Sequence, residues 1–220
     1  MSEGRFQVPG VGWVSSLTVS PPQATLGYVL AHGAGAGMRH PFLESVARAL
    51  AARGVATFRY QFPYMEAKKG RPDSPAVAVA AVRAAVQEAA RRFEGMPLIA
   101  GGKSFGGRMT STAASEAPLE GVRGLAFLGF PLHPPGKQGT SRADHLDGVT
   151  VPMLFLQGTR DEFADLALLK QVLRRLGRRA TLHQVEGGDH SFAVPKASGR
   201  TRDEVLDELA EVLSSWAARL

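Results

Sequence analysis

The sequence of 220 residues contains no cysteine. That excludes disulfides, thiolate metal sites and a cysteine nucleophile, and leaves the redox compartment open. No stretch approaches the ~20 continuous apolar residues of a membrane span. Residues 1–5 carry Glu3 and no apolar core, so no signal peptide is expected and a cytoplasmic location follows as the default. Aromatic residues make up only 7%. None interleaves with the densest basic cluster, Arg174, Arg175, Arg178 and Arg179, as a single-strand nucleic-acid surface would require. The net charge is +6, but 20 of the 26 basic residues are arginines spread along the chain. The cluster falls at the end of a predicted helix, where cations complement the helix dipole. A solvated face is expected there, with no nucleic-acid partner. Internal repeats, low-complexity tracts and linkers are also missing.

What is present is an alternation of short apolar runs with longer helical segments, the pattern of βαβ units. A length of 220 residues fits one domain over 1–220 that buries on the order of 70% of the unfolded chain's surface. Strands are predicted at 12–20, 26–32, 56–62, 98–102, 124–130, 153–158 and 180–185. Those at 98–102, 124–130 and 153–158 are nearly continuous apolar runs, as expected of strands covered on both faces. Helices are predicted near 41–53, 74–93, 105–116, 162–176 and 201–219. Ser74 with Pro75 opens the second, and Gly54 and Gly177 close the first and fourth. Thr201 and Glu204 have the spacing of a capping box. The fold class is α/β: a mainly parallel sheet of about seven strands with helices on both faces. One irregular stretch, 131–150, contains Pro131, Pro134 and Pro135. Irregular stretches this long are often functional.

The chemistry centres on Gly102-Lys103-Ser104-Phe105-Gly106, between a predicted strand and a predicted helix. A serine on so tight a turn is strained, and its neighbours must be small for the turn to close. The turn would lift Oγ to the C-terminal edge of the sheet, where open α/β folds bind ligands. Ser104 is therefore the expected nucleophile. Two glycine-rich alternatives fail on spacing. A phosphate-binding loop ending at Gly102-Lys103-Ser104 would need glycine where Pro97 stands. A dinucleotide fingerprint starting at Gly33 or Gly35 would need glycine at Met38 or His40. The run Leu30-Ala31-His32-Gly33-Ala34-Gly35 better suits an oxyanion hole. Its N–H donors are expected from Phe105, the residue after the nucleophile, and from Ala34, with Gly35 second.

A serine hydroxyl needs a base to take its proton and a carboxylate to orient that base. Of six histidines, His190 lies on a loop past the last predicted strand, from which it can reach Ser104. His183 sits within that strand, and His32 is expected to serve its own loop. His133, in the irregular stretch, is a lesser candidate for substrate contact. Asp161 follows the strand at 153–158 and is the expected acid; capping a helix from 162 is its competing role. Lys103 and Arg108, with the segment 66–71, are a weak pointer to an anionic acyl group, with Lys103 turned to solvent as the alternative. No metal or organic cofactor is implied, because side chains supply every role.

Taken together, the segments at 32–37, 101–108, 130–136, 157–161 and 188–190 resemble the α/β-hydrolase superfamily over nearly the whole chain. The chain looks most like its small members without a lid, near the dienelactone hydrolases. Among these it is similar to the branch that includes testis-expressed protein 30 and the hydrolase-like domain of NSL complex subunit 3. The resemblance implies an α/β-hydrolase fold with no cap domain, and Ser104, Asp161 and His190 as triad, in the chain order of α/β-hydrolases. Dienelactone hydrolases proper use cysteine, so their lactone substrate does not carry over. The expected activity is a serine esterase acting on a small or accessible ester-like molecule, with no membrane partner. A thioesterase or peptidase on the same residues, or a binding module with little catalysis, are the alternatives.

Overall fold

The computed structural model describes all 220 residues. Eight strands form one sheet: β1 (Ser2–Val8), β2 (Gly12–Val19), β3 (Leu26–Ala31), β4 (Val55–Tyr60), β5 (Leu98–Lys103), β6 (Val122–Leu128), β7 (Met153–Gly158) and β8 (Ala180–Val185). The order across the sheet is β1-β2-β4-β3-β5-β6-β7-β8. β1 pairs antiparallel with β2, and β2 with β4. The remaining pairs are parallel. Six helices surround the sheet: α1 (Pro41–Ala51), α2 (Pro63–Glu66), α3 (Pro75–Arg92), α4 (Phe105–Glu116), α5 (Leu166–Leu176) and α6 (Arg202–Ala217). This is the α/β-hydrolase fold without a cap.

The central strands explain the layering. Every residue of β3 is buried, and its side chains alternate between two cores, as the two-residue strand period demands. Val29 and Ala31 join the core under α3, α4 and α5. Tyr28 and Leu30 join the core under α1 and α6, with Phe42, Leu209 and Trp216. A polar outer strand face has no place here, so the sequence reads as continuous apolar runs.

Three expectations need correcting. The sheet has an eighth strand, β1, where only Phe6 and Val8 are buried among polar neighbours. Two apolar side chains in seven residues give too weak an alternation to read. Phe6 nevertheless packs on Phe58 and Tyr60, with ring centroids at 5.7 and 6.2 Å. Second, α5 starts at Leu166 rather than near 162, because Asp165 accepts the Leu168 N–H at 2.9 Å and caps the helix there. Asp161 is thereby relieved of capping. Third, the stretch 131–150 is partly ordered as a 3₁₀ segment, Ser141–Gly148. It is clipped to α4 by a 2.7 Å hydrogen bond between Ser111 Oγ and His145 Nε2. The capping box at Thr201 and Glu204 is present, and Gly54 and Gly177 end their helices at positive φ.

Candidate active site

Parallel strands β3, β5, β6, β7 and β8 all end at one edge of the sheet, and the chemistry gathers there. Ser104 is the single residue between β5 and α4, with φ 49° and ψ −115°. A side-chain-bearing residue at positive φ stores on the order of 1–3 kcal/mol of strain. The surrounding backbone leaves no alternative. A Cβ on Gly102 would sit inside the Ala31 carbonyl, and one on Gly106 would lie 2.5 Å from the His32 oxygen. The Ser104 N–H donates to the Leu128 carbonyl at 3.2 Å.

His190, on the loop after β8, places Nε2 2.9 Å from Ser104 Oγ. Its Nδ1 lies 2.9 and 2.8 Å from Asp161 Oδ1 and Oδ2. An ionised carboxylate only accepts, so Nδ1 carries the proton and Nε2 is left to accept the Ser104 hydroxyl. Asp161 is held in turn. Oδ1 accepts the Phe163 N–H at 2.8 Å, and Oδ2 accepts Gln157 Nε2 at 2.5 Å. Gln157 is fixed through its own oxygen by the Phe130 N–H at 2.9 Å. The Phe163 ring lies against the imidazole, centroids 4.3 Å apart. Ser104, Asp161 and His190 thus meet from three separate loops.

The loop after β3 closes one side. His32 is fully buried, accepts the Phe62 N–H on Nε2 at 3.0 Å and donates from Nδ1 to the Gly33 carbonyl at 2.7 Å. Burial pushes its pKa down to about 4, so it stays neutral and structural. Gly35 N–H donates to Tyr64 Oη at 2.9 Å, which spends the second-choice oxyanion donor. The N–H groups of Ala34 and Phe105 have no hydrogen-bond partner within the protein. Phe105 is also the first residue of α4, where helix N–H groups are free and the dipole favours negative charge.

Two expected substrate contacts fare differently. His133 is buried away from the cleft, with both ring nitrogens engaged by backbone. It accepts the Asp165 N–H at 2.7 Å and donates to the Pro134 carbonyl at 2.9 Å. The ring is a staple at the start of α5, and neither ring nitrogen is left for a substrate. Lys103 lines the cleft along its stem, but Nζ turns inward, is buried and has no hydrogen-bond partner. It does not point into solvent.

Ser104 and His190 form the floor of a cleft of about 270 Å³. Its walls include Ala34, His40, Phe42, Leu43 and Phe163. His40 caps α1 through Nδ1, which accepts the Phe42 N–H at 3.3 Å. The sequence assigned no role to Gln157, although it lies in the segment 157–161, nor to His40, Phe42 and Phe163, which act by placement alone. A hollow of about 320 Å³ at the opposite edge, around Leu26, Pro97 and Ala217, has no histidine, aspartate or glutamate side chain in its lining. It offers no acid–base chemistry.

Residues 24–218 match a family described as "Alpha/beta hydrolase domain". Among solved structures, an α/β serine hydrolase without lid from Xanthomonas campestris superposes with a TM-score of 0.77 at 21% identity, covering 98% of this chain and 94% of that one. Dienelactone hydrolase from Anabaena variabilis gives 0.77 at 22% identity, covering 99% and 96%. Est1E from Butyrivibrio proteoclasticus, also solved with ferulic acid bound, gives 0.73 at 16% identity in that complex, covering 98% and 99%.

Proposed function

We propose, for a chain that belongs to the alpha/beta hydrolase domain family, that it is a serine esterase acting through Ser104, His190 and Asp161. The observation that carries this is the continuous contact from Ser104 Oγ through the His190 ring to Asp161, at 2.9 and 2.8 Å. A hydroxyl becomes nucleophilic when a base accepts its proton in the transition state and a carboxylate stabilises the resulting imidazolium.

In the first half-reaction, His190 Nε2 takes the Ser104 proton as Oγ bonds to the ester carbonyl carbon. The carbonyl π pair moves onto oxygen, held by the N–H groups of Phe105 and Ala34. Collapse expels the alkoxide, which leaves with the proton from His190. In the second, water gives a proton to His190, attacks the acyl carbon, and the carboxylic acid departs as Ser104 regains its hydrogen. One oxyanion donor is worth about 10²- to 10³-fold in rate in comparable systems. Because the cleft has no cap over it, short-chain esters or an accessible group on a larger molecule suit it best. The segments at 32–37, 101–108, 130–136, 157–161 and 188–190 support a reading near the branch that includes testis-expressed protein 30 and the hydrolase-like domain of NSL complex subunit 3.

The test is a fluorophosphonate probe followed by an acyl-ester panel. Labelling is expected on Ser104, abolished in Ser104→Ala, together with a fall of at least about 10³-fold in ester turnover. Ester activity that survives Ser104→Ala, or no labelling of the wild type beside a labelled control hydrolase, overturns the reading. The second of those outcomes would leave a binding module as the better account.

A further inference from the structure

The reaction above leaves one buried charge unused. Lys103 immediately precedes Ser104, and its Nζ is out of contact with solvent yet makes no hydrogen bond. An ammonium in that condition is rare, because desolvation is compensated only by nearby opposite charge or polar partners. Its surroundings are specific. A Cβ added to Gly129, at the end of β6, would meet Lys103 Nζ at 3.0 Å, Asp161 Oδ2 at 3.4 Å and His190 Cε1 at 3.5 Å. Ammonium, carboxylate and imidazole therefore crowd around one point, with glycine opposite them. The Phe192 ring stands on another side, 5.8 Å from Nζ.

We propose that Lys103 is a positioning residue: its ammonium, seated behind the His190–Asp161 pair, opposes the imidazolium and keeps His190 a neutral, proton-accepting base. The inference rests on the esterase reading of Ser104 and adds to it the element that sets the working pH. The charged and titratable groups facing Nζ are Asp161, from the loop after β7, and Asp189 and His190, from the loop after β8. Gly129 and Phe192 also face Nζ and add no charge. The two carboxylates hold the ammonium charged against its burial, while burial itself draws its pKa down to about 8. The geometry explains why a lysine can stand beside the nucleophile without reaching the substrate. Only its apolar stem lines the cleft, and its charge acts from behind the base.

The experiment is the pH dependence of fluorophosphonate labelling at Ser104 in the wild type and in Lys103→Met, which keeps the stem and removes the charge. A like charge a few ångströms away disfavours the charged form of a titrating group, by on the order of one pH unit. The acidic limb of the variant's profile is expected to move up by about one pH unit, with an undiminished plateau. Because the chain has no cysteine, Lys103→Cys can be alkylated with 2-bromoethylamine at that site alone. The restored ammonium should return the limb to its wild-type position. A limb that stays put while the plateau drops would show a merely structural lysine. An unmoved limb with weakened turnover of anionic esters only would make Lys103 a substrate contact; either result overturns the proposal. If Lys103→Met fails to fold by circular dichroism, Lys103→Cys before and after alkylation still decides: the limb should move down when the ammonium is restored, and a limb that does not move overturns the proposal. Failure of the esterase reading looks different, since then neither protein labels at any pH.

Discussion

Gln157 shows how much of the site depends on residues that carry none of its chemistry. Its side-chain amide joins the Phe130 N–H to Asp161 Oδ2, so one fully buried side chain orients the carboxylate that meets His190. Replacing it by leucine removes both bonds at little change in volume and strands a buried N–H. Unsatisfied buried groups cost about 1–3 kcal/mol each. Gln157→Leu should lose stability of that order in urea unfolding, and label at Ser104 about 10- to 100-fold more slowly, as misorientation of a reacting group would produce. Labelling at the wild-type rate would leave Phe163 alone holding Asp161. At this scale the sequence spoke clearly only through Ser104, Asp161 and His190, where residue type and chain order coincide. Gln157 and His40 are polar residues without a local pattern, and their roles arise from what the fold brings beside them. His133 misled for the same reason. A histidine in an irregular loop looks available until Asp165 N–H and the Pro134 carbonyl are found on its two nitrogens.

Among the elements, α4 has the tightest constraint. It starts directly after the strained turn at Ser104 and packs its first residues on the backbone of β3. A methyl group on Gly106 would lie 2.5 Å from the His32 oxygen and 2.7 Å from Ala31 Cβ, and His32 cannot yield because both its ring nitrogens are bonded. Overpacking of this kind typically costs about 1–3 kcal/mol, with roughly 2–4 °C in Tm per kcal/mol at this size. Gly106→Ala should therefore melt several degrees below the wild type and label poorly at Ser104, since the strand-to-helix distance must open. An unchanged melting temperature would mean that the α4–β3 approach is softer than its distances imply. The helices were legible in sequence wherever a cap ended them, as at Ser74, Gly54, Gly177 and Thr201. The start of α5 was not, because Asp161 and Asp165 are both acceptable caps and only the Leu168 N–H chooses between them.

For the whole molecule, the consequence of these contacts is a stability that falls as the pH is lowered into mild acid. His32 joins β3 to the Phe62 backbone and is neutral when folded, its pKa drawn down to about 4 by burial. Unfolded, it titrates at about 6.5. Above that pH neither state binds the proton. Between about 6.5 and 4 only the unfolded chain does, so stability falls with a slope approaching 1.4 kcal/mol per pH unit from this group. His145 is lowered in the same direction by burial and by Arg108. Urea midpoints of the wild type should drop between pH 7 and 4.5, and His32→Gln, although less stable at pH 7, should lose less over that interval. Equal losses in the two proteins would assign the acid sensitivity to other groups.

The sequence by itself determined the α/β alternation, the two-sided burial of the central strands, most helix ends and the three chemical residue types in their order. These properties are local: apolar periodicity, capping and turn chemistry act over a few residues, and so they are written within a few residues. The edge strand β1, the closure of His133 and the burial of Lys103 Nζ behind Asp161 were decided only by the tertiary structure. Each depends on a partner far along the chain, and burial and hydrogen bonding take their sign from that partner rather than from the residue itself.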